Sequence, residues 1–153
     1  MEKKLAALRE GDERAALEIA WLTLEQPDVA APYIPDLVAF LENEEVETTQ
    51  TARQAVAAGL SFLTPHFPDH IAAQISSLIP MLRDEEVNRE VVTALMSIAF
   101  LRPGAVMPFV PVLVRIHAEE IEDGVKLRVA RILEFLRLNE LVAVLCQGFA
   151  EQN

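Results

Sequence analysis

Cysteine is almost missing from this chain of 153 residues, where Cys146 stands alone. A single thiol excludes an internal disulfide and any cysteine-rich metal site. Glycine is scarce as well, five residues against a background dominated by Ala, Leu, Glu and Val, and that balance favours helix over sheet. Trp21 and Tyr33 are each the only residue of their kind and fall at core-like positions, so they make no stacking platform for bases. Basic residues are outnumbered, 13 against 24 acids, and the net charge of −11 opposes binding to nucleic-acid phosphates or anionic lipid. Long apolar runs are absent too. The richest, AVMPFVPVLV at 105–114, is too short and too broken by proline to span a bilayer. The first residues, MEKKLAALRE, are charged from the second position and hold no apolar core, so no signal peptide and a cytoplasmic location are expected. A Gly-rich phosphate loop, a G-x-S-x-G elbow and an H-E-x-x-H helix are all lacking, and no cofactor is expected.

What is present is apolar content of 52%, too high for disorder and enough for one domain that buries roughly 68–70% of its unfolded surface. It is arranged in echoes: LVAFLENEEV at 37–46, LIPMLRDEEV at 78–87 and VLVRIHAEEI at 112–121. After each acidic cluster comes an aligned segment, 48–59, 87–98 and 125–136, with starts 39 and 38 residues apart. Ala52, Ala55, Val56 and Gly59 match Val91, Ala94, Leu95 and Ile98, and these match Val129, Ile132, Leu133 and Leu136. Such spacing marks one apolar face of an α-helix. The segment 13–24 fits through Leu17, Ala20, Trp21 and Leu24. Upstream, PYIPDLVAF at 32–40 and PFVPVLVRI at 108–116 share a pattern 76 residues apart. The middle unit has IAAQISSLIPML instead, and its Pro80 predicts a kink or break. Asp12 and Asp69 are expected N-caps, and Ala55 and Ala94 are expected at close helix–helix contacts. A period near 38 with two helices per unit predicts an all-α fold, a right-handed α-α superhelix or solenoid. Its hairpins are expected at about 2–25, 28–64, 69–101 and 105–138, with a short C-terminal capping helix over about 139–150.

The segments LIPMLRDEEVNREVVTALMSIA (78–99) and VPVLVRIHAEEIEDGVKLRVARIL (110–133) resemble the HEAT or HEAT-like (armadillo-type) repeat. In that family the first helix typically carries a proline and ends in L-x-x-D, and the second opens V-R-x-x-A-x-x-A-L. The resemblance covers 28–138 well and the first 27 residues weakly. It implies a solenoid that holds other proteins. Thr49 and Asn88 stand where the family has arginine, and only Lys126 keeps that charge, so the Asp–Arg ladder that often links HEAT units is expected to be incomplete.

Residues with reactive chemistry are few. His66 and His70 flank Pro68 in HFPDH and read as an exposed loop pair, His117 as a solvated helix-end residue, and Cys146 as a small buried apolar side chain. The carboxylates are more informative. Glu42, Glu44, Glu45 and Glu47 form one cluster; Asp84, Glu85, Glu86 and Glu90 a second; Glu119, Glu120, Glu122 and Asp123 a third. Each surrounds the turn inside a hairpin, so together they predict an acidic ridge along one edge. The second helices would turn Arg53, Gln54, Arg89, Thr93, Lys126, Arg128, Arg131 and Glu134 to the concave face. The expected function is non-catalytic: a protein–protein interaction module or scaffold for a basic protein, in its more specific form an antitoxin- or immunity-like partner. The alternative is an enzyme or enzyme subunit of the HEAT-like lyase type. The composition leaves the oligomeric state open.

Overall fold

Gly11 closes the first helical turn of the chain with φ 85°, a left-handed conformation natural to glycine. It separates α1 (Glu2–Arg9) from α2 (Glu13–Glu25). The Asp12 carboxylate then caps α2 as the sequence predicts, accepting from the Arg14 and Ala15 N–H groups at 2.9 and 3.3 Å. The structure, a computed structural model, describes residues 1–43 and 47–152, and every regular element among them is helical. The chain continues through α3 (Pro27–Ala30), a 3₁₀ turn (Ala31–Tyr33) and α4 (Ile34–Glu42) to α5 (Gln50–Leu63), whose N-cap is Thr49. Next come α6 (Pro68–Ala72), α7 (Ile75–Leu78), a 3₁₀ segment (Ile79–Arg83) and α8 (Asn88–Leu101). Last are α9 (Pro103–Val106), a 3₁₀ turn (Met107–Phe109), α10 (Val110–Ala118) and α11 (Asp123–Glu151).

Proline sets this punctuation. The helix is interrupted at Pro80, as expected, but also at Ala73–Gln74, and the same device recurs at Pro32 and Pro108. Each ring removes a backbone donor and crowds the preceding turn, so the chain relaxes locally into 3₁₀ geometry. Pro68 takes the first position of α6, where its missing N–H costs nothing. That moves Asp69 inside the helix: Phe67 occupies the cap position, and Asp69 accepts from Arg102 instead. The expectation of an Asp69 cap is thereby corrected.

Packing follows chain order. α2 lies against α5, α5 against α8 and α8 against α11, while α1, α4 and α10 cover α2, α5 and α11 respectively. One continuous apolar core runs from Leu5 to Leu136. The aligned positions are buried as the spacing predicts: Ala52 and Val56 in α5, Val91, Leu95 and Ile98 in α8, Val125, Val129, Ile132 and Leu136 in α11. Ala94 is 1% exposed, and Ala55 packs partly buried against the core.

Three further expectations fail. α2 buries Ala15, Ala16, Ile19 and Thr23, whereas Leu17, Trp21 and Leu24 are exposed. The reason lies across the interface: Gly59 of α5 comes so close to Thr23 and Ala20 that only small side chains fit between the helices. Trp21, at 63% exposure, therefore belongs to the surface. Its fluorescence should be red-shifted and freely quenched by acrylamide; protection from quencher would refute this register. The second failure is the capping helix. Arg137–Asn139 contains no helix breaker, so α11 runs on to Glu151, and every described residue after Leu136 is exposed. Cys146 sits on that extension and is exposed rather than buried. Among the described residues no helix is long and apolar enough to cross a membrane.

Candidate protein-binding edge

Short connections follow the Ile79–Arg83 segment and α10, and arginines tie them to each other and to α5. Arg53 rises from the first turn of α5 and pairs with Asp84, which follows the Ile79–Arg83 segment. Its Nε also lies 2.9 Å from Glu86 Oε2. That nitrogen is buried and misaligned for a hydrogen bond, so this second contact is Coulombic. Arg89, near the start of α8, donates to both carboxylate oxygens of Glu122 at 2.9 and 3.0 Å. Arg83 forks onto Glu119 with two bonds of 2.7 Å. On the N-terminal side the Thr49 hydroxyl donates to Glu13 at 2.9 Å. Two further bridges, Arg102–Asp69 at 2.7 Å and Arg9–Asp36 at 2.6 Å, join other parts of the chain.

Thr49, Asn88 and Lys126 form no ion pair among the described residues; a different ladder of bridges is built by Arg53, Arg83 and Arg89. Asn88 is buried instead, with no donor to its Oδ1 among the described residues. The ladder also revises the concave set. Arg53, with a side chain only 12% exposed, is held inside its bridges, and Arg89 is occupied by Glu122. Thr93 turns its hydroxyl back to the Arg89 carbonyl at 2.8 Å. Gln54 and Lys126 are half-buried, and Arg131 and Glu134 are exposed.

The acidic ridge is consequently of two kinds. Asp84, Glu86, Glu119 and Glu122 are neutralised by arginine, while Glu42, Glu47, Glu85, Glu90, Glu120 and Asp123 form no ion pair among the described residues. Glu44 and Glu45 lie outside the described residues. The two sequence-derived sets meet in one open cleft of about 430 Å³, where Glu85, Glu86, Glu90 and Glu122 surround Arg89 beside Gln54. With Glu122 taken by Arg89 and Glu86 by Arg53, Glu85 and Glu90 remain unpaired and leave a negative concavity suited to a lysine or arginine side chain. A neighbouring cleft of about 330 Å³ brings Glu42 and Asp84 together with Pro80, Met81 and Arg53.

No protein-family model, curated protein or solved structure matches the chain. Its chemistry must be read from its own groups. His66, His70 and His117 are exposed, and no cluster of three or more His, Cys, Asp or Glu capable of holding a metal occurs among the described residues. His70 sits in α6 rather than in a loop and meets the Phe67 ring edge-on at 5.6 Å. What sequence reading missed was Arg83, together with the Arg102–Asp69 pair. The signal was available as opposite charges 36 or 33 residues apart, close to one unit length.

Arginine hydrogen bonds hold Glu119 and Glu122 below the ordinary carboxylate value of 4.5, and the same bonds raise Arg83 and Arg89. A carboxylate whose folded pKa is depressed stabilises the fold above its unfolded pKa, and that contribution is lost as pH falls through the folded value. The urea midpoint should therefore fall as pH drops below about 4.5. In the Arg83→Gln, Arg89→Gln double variant the decline over the same window should be shallower, since both glutamates then titrate nearer their unfolded values. Identical acid profiles for the two proteins would show that these bridges carry none of the dependence.

Proposed function

We propose that this chain is a non-catalytic protein-binding module, a HEAT-like solenoid whose acidic edge takes a basic partner. The observation that carries the reading is the cleft lined by Glu85, Glu86, Glu90 and Glu122, in which Arg89 is bound to Glu122 and Arg53 holds Glu86, so that Glu85 and Glu90 stay unpaired. Four long helices packed in chain order, with turns bridged from unit to unit, support the solenoid reading. Such an edge is laterally stiff, because the connections after Arg83 and after Ala118 are tied to each other and to α5, yet Glu85 and Glu120 remain exposed between the ties. Stiffness matters, since a preformed charged surface loses little side-chain freedom on binding. A partner contributing lysines or arginines would replace the hydration of these carboxylates with charge-assisted hydrogen bonds. A basic toxin or nuclease masked by an immunity-type protein has this chemistry.

The test is affinity capture on immobilised protein from the native host, followed by elution with rising salt. Basic proteins should elute, and Glu85→Gln with Glu90→Gln should release them at lower salt. Partners that are neutral or acidic, or that elute identically from both columns, would refute the reading.

A further inference from the structure

Beyond Leu136 the last helix leaves the body, and its residues 137–151 are all exposed. Fifteen residues at about 1.5 Å each make a rod about 22 Å long. Its surface is not polar. Leu138 is 54% exposed, and Leu141, Val142, Val144 and Leu145 are comparably open. Contiguous apolar surface of this kind rarely stays bare in solution.

The spacing says what fits it. Leu138, Leu141 and Leu145 are three and then four residues apart, the a, d, a positions of a heptad, and Gly148 is the next d. The flanking g positions are Arg137, Val144 and Glu151. In an antiparallel pair with its two-fold axis at Ala143, Leu141 meets Leu145 of the second copy and Leu138 meets Gly148. An added Cβ on Gly148 would have no neighbour within 4 Å in the single chain, so that position is open to receive the leucine. The same register brings the g positions together, placing Arg137 beside Glu151 of the second copy and Val144 beside Val144. A parallel pair sets Arg137 against Val142 and leaves Glu151 without a cation. It also crowds two bodies at one end of the rod, although each chain carries −11. The antiparallel pair holds the bodies at opposite ends, more than twice the screening length of about 8 Å apart.

We propose that the extension of α11 is a self-association element, through which two copies pair antiparallel by way of Leu138, Leu141, Leu145 and Gly148, with Arg137 and Glu151 closing each end. This surface is separate from the acidic edge and stands whether or not that edge binds a basic protein. A membrane surface fits less well, because Arg137 is the single cation among these residues against Glu140 and Glu151, and interfacial helices carry a basic polar face.

The experiment is sedimentation equilibrium of the whole chain, reduced to keep Cys146 from oxidising, between about 1 and about 200 µM, since two heptads make an interface at the weak end of the range. The mass should climb from 17.0 kDa toward twice that value. Leu141→Glu with Leu145→Glu should remain a monomer with unchanged melting, because neither side chain touches the body. Arg137→Glu should weaken the dimer on the order of tenfold, and adding Glu151→Arg should restore it. Trp21 emission should not move with concentration. A monomer at every concentration overturns the proposal. So does a Trp21 blue shift on association, which would put the tail on α2 of another copy. A charge swap without rescue, or flotation with anionic vesicles that Leu141→Glu abolishes, overturns it equally.

Discussion

Replacing Glu42, Glu47, Glu85, Glu90 and Glu120 by glutamine and Asp123 by asparagine should slow capture of an oligolysine probe by at least about tenfold at low salt. These six carboxylates form no ion pair among the described residues, so the nearby arginines, committed to other carboxylates, offset their field only in part. The wild-type rate should fall steeply as salt is added, and the two proteins should converge once screening shortens the reach of the field to a few ångströms. Net charge alone predicts the same slowing wherever six acids are removed. A control therefore neutralises Glu2, Glu10, Glu25, Asp28, Glu134 and Glu140, leaving the same net charge and an intact edge. The edge assignment requires that this control keep most of the wild-type rate. Melting of the edge variant should hold or rise slightly, because like charges no longer face one another. Stopped-flow measurement of all three proteins decides the matter. Equal rates for the edge variant and wild type would reduce the ridge to a solvated rim and move attention to the face around Arg89 and Arg131.

Gly59→Leu should be the most damaging single substitution, at a cost of about 3 kcal/mol, the upper end for an overpacked core. A Cβ placed on Gly59 already stands 3.1 Å from Thr23 Oγ1, 3.2 Å from Thr23 Cγ2 and 3.5 Å from the Ala20 Cα. Thr23 cannot swing aside freely: it is buried, and its hydroxyl donates to the Ala20 carbonyl at 2.6 Å. Three further carbons would have to push α2 away from α5 and open the core on both sides. At this chain length a loss of that size lowers the melting temperature by roughly 6–12 °C. Gly59→Ala separates sterics from helix propensity. Alanine gains about 1 kcal/mol of propensity over glycine in a helix interior, and a few tenths of an ångström of adjustment costs a similar amount. The alanine variant should melt within a few degrees of wild type. A stable leucine variant would show that α2 and α5 do not approach as closely as these distances require.

Helices α5, α8 and α11 were legible because their signals are local. Burial at i, i+4, i+7 and i+8 recurs at Ala52, Val91 and Val129 with little dependence on neighbours, and Asp12 caps α2 by contacts within three residues. Where a contact decides between two faces, local reading failed. α2 has apolar side chains on both sides, and the longer ones, Leu17 and Trp21, looked like the core set. The close approach of Gly59 selected the small ones. At the C-terminus the residues are helix formers and predict helix correctly, but whether the helix turns back or runs on depends on a breaker that is not there.

The edge divides in the same way. That acids cluster in three turns follows from composition and spacing alone, and so does the all-helical class, since both depend only on residues close in the chain. Which carboxylates remain available was settled by tertiary structure. Arg53, Arg83 and Arg89 reach across a unit to Asp84, Glu119 and Glu122, and pairing over about 30 residues becomes visible only when the turns are side by side. Coulomb attraction falls off with distance in space rather than along the sequence, so the chain specifies its charges and the packing of its helices decides which of them stay unpaired.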